Sequence, residues 1–214
     1  MKFKKTLKNF LFLTLLFSTG YSVYNFITAP SGGALHIKSD YLLMTLQCVL
    51  GLLLMTVPSI IEKRLSLNIP NKMTVIYFVF LYCAIYLGEV RNFYYIIPYW
   101  DSFLHCLSGA MLGFLGFLIV RLFNESEKVS VRLSPLFLAV FAFCFSLALG
   151  TLWEIYEFTG DFVFGLNMQK YRTAEGVLLL GRAALSDTMK DMIVDAIGAL
   201  VISVFGYFFI KKRS

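Results

Sequence analysis

The stretch SPLFLAVFAFCFSLALGTLWEIYEFTGD, residues 134–161, decides the class of fold of this chain. Residues 134–153 include no charged side chain, and about 20 such residues are enough for a helix to cross a bilayer. The same stretch ends with Glu154, Glu157 and Asp161. An ionised carboxylate is costly beside the hydrocarbon core, so these acids predict that a compensating positive charge lies close to them.

The rest of the chain has the composition of a membrane protein. Of its 214 residues, 58% are hydrophobic and 15% are charged, and the mean hydropathy is +0.74; soluble domains carry more charge. We therefore predict an all-α, polytopic bundle of about six transmembrane helices, forming a single domain over residues 1–214. The predicted spans are 9–29, 41–61, 73–93, 101–123, 135–160 and 187–210.

The basic residues predict how the bundle is oriented. Most of them lie in one set of connections, which includes the leader MKFKKTLK, Lys63, Arg64, Lys211 and Lys212. Connections rich in Lys and Arg stay in the cytoplasm, so we expect both termini to be cytoplasmic and the chain to lie in a bacterial inner membrane. The net charge of +6 is then explained by the membrane and does not indicate a nucleic-acid partner.

The acids of the opposite side fall at helical spacing on the last three predicted spans. The segment WDSFLHCLSG, residues 100–109, places an acid four residues before a histidine, and residues that are four apart share a helix face. The end of the fifth span and the segment DTMKDMIVDAIG, residues 187–198, show the same kind of spacing. The candidate site residues are Asp101, His105, Glu154, Glu157, Asp161, Asp187, Asp191 and Asp195.

These faces predict one acidic pocket that opens to the outside. All three reach the same outer third of the membrane, and small residues continue them inward, which allows helices to pack closely. A divalent cation would offset the charge, and all eight residues are candidate ligands. One histidine with several carboxylates suits Zn²⁺, Mn²⁺ or Fe²⁺, and with fewer nitrogen ligands Mg²⁺ or Ca²⁺. The protein's own candidates for the positive charge are Arg91, Arg172, Arg182 and Lys190. Asp101 and Asp187 also fit helix caps.

On WDSFLH, WEIYEFTGD and DTMKDMIVDAIGAL, the chain resembles the YjdF-like family of bacterial inner-membrane proteins over residues 40–205. It is more distantly similar to VanZ-like proteins. In that comparison Asp101 and His105 match the first motif and Glu154 matches the second. The third motif is matched by Arg182, by Asp187 or Asp191, and by Gly198. The VanZ-like resemblance implies a role near the cell envelope and in glycopeptide tolerance.

Three functions fit these residues. The first is a metal-dependent enzyme that acts on an envelope lipid or its phosphorylated head group, with His105, Glu154 and Asp195 as catalytic residues. Arg172 and Arg182 would bind the phosphate. The second is a non-catalytic membrane partner with a structural cation, and the third is a cation- or proton-coupled transporter. Membrane lipids are the expected partners in each case.

Overall fold

The computed structural model describes residues 2–29, 35–66, 68–125, 133–173 and 175–212. Over these residues the chain is helical, and its one β-type pairing is an isolated bridge between Arg172 and Leu178. The helices are α1 (Lys2–Thr28), α2 (Leu35–Leu54), α3 (Val57–Leu65), α4 (Asn71–Leu81), a π-helix (Tyr82–Val90), α5 (Phe93–Ile96), α6 (Trp100–Glu125), α7 (Pro135–Phe164) and α8 (Arg182–Lys211).

Among the described residues, six helical segments are long and apolar enough to cross a membrane, which confirms the predicted all-α, multi-pass fold. The segments are Phe3–Thr28, Lys38–Arg64, Asn71–Val90, Trp100–Arg121, Pro135–Phe164 and Arg182–Lys211. Large apolar side chains on them, such as Phe17 and Phe205, are about 70% exposed or more, and this is surface that lipid covers. The cytoplasmic placement of the termini and the inner membrane stay predictions.

Two of the spans differ in detail from plain α-helices. The second span contains a turn at Met55 and Thr56, and its next helix, α3, begins at Val57, immediately before Pro58. Proline fits the first turn of a helix because it has no N–H to donate. The third continues from α4 into the π-helix, whose wider turns no sequence period indicated. Segments of this kind often occur at functional sites.

Residue contacts group the chain into two compact units. The first unit consists of Met1–Asp101 and Ile155–Thr188, and the second consists of Ser102–Glu154 and Met189–Ser214. The helices α6, α7 and α8 each contribute residues to both. The predicted single domain stays a prediction.

In the first unit, α1, α2, α4 and the π-helix form an apolar core. Leu11, Leu15 and Cys48 are fully buried in it, and Phe78 and Leu81 pack beside them. Gly51 allows this approach, because a Cβ there would lie 2.4 Å from the side chain of Ile85.

In the second unit, glycines bring α6 and α8 into close contact. A Cβ on Gly198 would lie 2.0 Å from the carbonyl oxygen of Cys106, and one on Gly109 would lie 2.3 Å from the carbonyl oxygen of Asp195. These are backbone atoms, so a larger residue would force the two helices apart. Small residues have this role in membrane bundles generally.

Candidate functional site

A buried polar cluster lies where α6 and α8 meet in the second unit. His105 Nδ1 lies 3.2 Å from Asp195 Oδ2, and the hydroxyl of Ser108 donates to Asp195 Oδ1 over 2.9 Å. His105 is 8% exposed and Asp195 is 2% exposed. The carboxylate of Asp195 therefore has a hydrogen-bond partner at each oxygen, within a segment that crosses the membrane.

The space for this carboxylate comes from α7. A Cβ on Gly150 would lie 2.7 Å from Asp195 Oδ2, so a larger residue at position 150 would require the carboxylate of Asp195 to shift. One turn earlier on α7, the hydroxyl of Ser146 donates to the carbonyl oxygen of Gly109 over 2.8 Å, which fixes α7 against α6. Glu154 lies one turn after Gly150 and is 4% exposed.

The contact with Asp195 determines which nitrogen of His105 can bind a ligand. A carboxylate accepts a hydrogen bond, so Nδ1 carries the proton in the neutral ring and Nε2 keeps its lone pair. Asp191 lies one turn before Asp195 on α8 and is 2% exposed. A carboxylate oxygen of Asp191 and a ring nitrogen of His105 lie within 4.8 Å of each other. Two ligands of one zinc ion, each about 2 Å from the metal, are about 3–4 Å apart, which is compatible with the upper limit of 4.8 Å for this pair.

The predicted ligands that belong to the first unit have other partners. Lys170, in the connection between α7 and α8, forms an ion pair with Asp101. Its ammonium nitrogen also lies 3.8 Å from Asp187 Oδ2 and 4.8 Å from the centre of the Tyr94 ring. The structure thus brings Asp101 and Asp187 together around Lys170, a residue that is not among the site residues predicted from the sequence.

The surroundings of Lys170 keep it charged. Burial alone would lower the pKa of Lys170, but the nearby charges of Asp101 and Asp187, with a smaller effect from Glu157, raise that pKa above its usual range. The backbone at Lys170 has a φ of 47°, a left-handed conformation that residues other than glycine rarely adopt. The ion pairs therefore stabilise the charged form of Lys170.

Asp161 and Arg172 complete the end of α7. The carboxylate of Asp161 accepts the backbone N–H groups of Met168 (2.7 Å) and Gln169 (3.0 Å). Arg172 Nη2 donates to the carbonyl oxygens of Gly165 (3.0 Å) and Leu166 (2.9 Å). The charges of Arg172 and Lys170 act on Asp161, so positive charge is present beside this acid, while the compensation of all three acids of residues 154–161 stays a prediction.

The remaining predicted residues are Glu157 and Arg182. Glu157 is 9% exposed and belongs to the first unit, and Arg182 is exposed at the first position of α8. The phosphate-binding role of Arg172 and Arg182 stays a prediction, as does the convergence of all the acids on one metal ion. No simple sequence signal distinguished Lys170 or Ser108, because one lies in an aperiodic loop and the other resembles a packing residue.

Comparisons with known proteins agree with a membrane location. The family described as "Predicted membrane protein (DUF2238)" matches residues 10–212. A protein of Thermotoga maritima, described as an uncharacterized protein, is 27% identical over 165 residues, which cover 73% of this chain and 76% of that protein. No solved structure matches the chain. Neither description names a ligand or a reaction, and the YjdF-like and VanZ-like resemblances stay predictions.

Proposed function

The chain belongs to the DUF2238 family of predicted membrane proteins, and we propose that it binds a divalent cation within the membrane. In this proposal His105 Nε2 and the carboxylate of Asp191 are ligands, and Asp195 orients the histidine. The observation that carries the proposal is the buried contact of 3.2 Å between His105 Nδ1 and Asp195.

The chemistry of this contact supports a cation site. A histidine that binds a metal usually donates its other N–H to a carboxylate or a carbonyl group, which fixes the ring and makes the ligating nitrogen more basic. Asp191 adds a second buried acid within reach of the ring. Negative charge that is buried in a membrane is stabilised by a positive partner, and a bound cation would serve both acids.

The same residues suit hydrolysis of a phosphorylated head group of an envelope lipid. A bound divalent cation supplies a Lewis acid and lowers the pKa of a coordinated water. Glu154, buried in the same unit, would take the proton from the attacking water and pass it to the leaving oxygen as the phosphorus–oxygen bond breaks.

Metal analysis of the purified, full-length protein tests the cation site. After loading with Zn²⁺, Mn²⁺ or Mg²⁺ and desalting, we expect one of these metals to stay bound in a stoichiometric amount. His105→Ala and Asp191→Asn should lose it, while Glu175→Gln, which changes an exposed loop acid, should keep it. A wild-type protein that retains none of the three metals would contradict the proposal.

Activity assays then distinguish the three functions. Metal-dependent release of phosphate from phosphatidic acid, lost in His105→Ala and in Glu154→Gln, would support the enzyme. Bound metal without turnover, together with a lower melting temperature in chelator, would favour a structural cation instead. Metal uptake into proteoliposomes by the wild type, absent in Asp191→Asn, would favour the transporter.

A further inference from the structure

A cavity of about 370 Å³ lies in the first unit, at the ends of three membrane spans. Phe26 contributes from the end of α1, Lys38 and Leu42 from the start of α2, and Arg172 from the connection after α7. The spans concerned end at Thr28, begin at Lys38 and end at Phe164. The cavity is therefore at a boundary between lipid and water, and its volume is in the range of small-molecule sites.

The lining of this cavity combines two positive charges with apolar surface. Its charged side chains are Lys38 and Arg172, its hydroxyl groups belong to Ser39 and Tyr171, and no acidic side chain is among the described residues that line it. Phe26 and Leu42 supply apolar surface beside them. A ligand that fits this lining has an anionic group attached to an apolar chain.

Arg172 is held in place for such a ligand. Its Nη2 is bound to the carbonyl oxygens of Gly165 and Leu166, and its guanidinium lies 5.1 Å from the centre of the Tyr171 ring. A guanidinium that is fixed by its surroundings loses little side-chain entropy on binding. Arginine and lysine are the usual partners of phosphate oxygens, arginine through its planar fork and lysine as a point charge.

We propose that this cavity binds the phosphate of an anionic phospholipid, with Lys38 and Arg172 on the phosphate and with Phe26 and Leu42 along the adjoining part of the acyl chain. Ser39 can donate a further hydrogen bond to the head group. The apolar side of the cavity argues for a lipid and against a free inorganic anion. This site uses residues of the first unit only and does not depend on the cation site.

Native mass spectrometry of the purified, full-length protein in detergent tests the proposal. Phosphatidylglycerol and phosphatidylcholine with the same acyl chains are added in turn, with EDTA present so that metal plays no part. We expect the wild type to retain phosphatidylglycerol in preference to phosphatidylcholine. Lys38→Met should weaken the binding of phosphatidylglycerol roughly tenfold, the size expected for one charge-assisted hydrogen bond.

The matched control is Lys63→Met, which removes an exposed lysine at the other end of the second span. It should leave lipid binding unchanged, whereas a loss equal to that of Lys38→Met would show general attraction to basic residues and overturn the site. Because Arg172 also binds backbone groups, Arg172→Lys and the cavity-filling Leu42→Trp are added, with melting temperatures measured for each. Leu42→Trp should displace the lipid without unfolding the protein.

Two further outcomes would overturn the proposal. One is equal retention of phosphatidylglycerol and phosphatidylcholine by the wild type. The other is that inorganic phosphate at a millimolar concentration displaces the lipid completely, since a free anion without an apolar chain would then be enough to occupy the site. Either outcome would leave the metal analysis of His105 and Asp191 unaffected, so the lipid proposal and the cation proposal are tested independently.

Discussion

Asp195 carries two hydrogen bonds at a position where an unpaired carboxylate would be very costly. Both oxygens have donors, Ser108 on one side and His105 on the other, and the side chain occupies the space left by Gly150. The sequence predicted Asp195 as a ligand. The geometry gives it a different role in the proposed site, that of a positioning residue which acts through His105.

A substitution at position 195 tests this role. Asp195→Asn keeps the shape of the side chain, but it removes the negative charge and leaves a single acceptor oxygen for the two donors, Ser108 and His105. The tautomer of His105 is then held less firmly. We expect the metal affinity to fall about 10- to 100-fold, as for other partners of ligating histidines. Isothermal titration with the metal that the wild type retains measures this change.

The matched control for this experiment is Ser108→Ala. It removes one donor to Asp195 and leaves the contact with His105 intact, so its affinity should fall less. Equal affinities for the wild type and Asp195→Asn would show that Asp195 does not orient the ligand.

In the first unit, Lys170 is the charged residue that is paired with two acids, Asp101 and Asp187. Lys170→Met would leave Asp101 and Asp187 close together without their shared cation, and we expect the free energy of unfolding to fall by roughly 1–3 kcal/mol. A double-mutant cycle with Asp101→Asn isolates the ion pair. The double variant should lose less stability than the sum of the single variants, and strict additivity would contradict the pairing.

The pH dependence of this contribution has a definite sign. The nearby charges of Asp101 and Asp187 raise the folded-state pKa of Lys170 above the usual value for a lysine, so the folded protein binds this proton more tightly than the unfolded chain does. The stabilisation is complete below the pKa of an unfolded lysine and is lost only as the pH rises through the folded-state pKa. Between pH 6 and 9, Lys170 is protonated in both the folded and the unfolded state. Its titration should therefore not alter the difference in free energy of unfolding between the wild type and Lys170→Met.

At the level of helices, apolar length predicted the spans, and polar spacing predicted which helix faces carry the candidate site residues. His105 with Asp195, and Asp191 one turn away, could be anticipated because helical periodicity places residues on faces. The contacts in the connection between α7 and α8 could not be anticipated in this way. No helical period relates Lys170, Arg172 and the N–H groups that Asp161 binds. The π-helix was also missed, since its residues Tyr82–Val90 look like any apolar helix.

Close packing of α6 on α8 can be tested with one methyl group. In Gly198→Ala the new Cβ would meet the carbonyl oxygen of Cys106, and the helices must separate. We expect a loss of about 1–3 kcal/mol, the usual cost of overpacking, visible as a lower melting temperature in detergent. Gly20→Ala is the control, because a Cβ at Gly20 meets no atom within 4 Å and alanine favours a helix.

At the scale of the whole molecule, the direction in which the six spans cross the membrane determines the side on which each connection lies. An even number of crossings returns the chain to the side on which it started, so one assignment fixes every connection. The rule that basic connections stay inside predicts that Lys63 is cytoplasmic and that Glu175 is outside. If this holds, the cavity lined by Lys38 and Arg172 opens toward the outer leaflet.

Cysteine labelling decides the orientation. In a background in which alanine replaces the native cysteines, Glu175→Cys should react with a membrane-impermeant maleimide in intact cells, and Lys63→Cys should react only after the membrane is made permeable. The native cysteines are Cys48, Cys83, Cys106 and Cys144. The opposite labelling pattern would reverse the topology and place the lipid cavity in the inner leaflet. The contacts of Lys170, Asp195 and Arg172 would be unchanged, because they lie within the protein and do not depend on which side faces the cytoplasm.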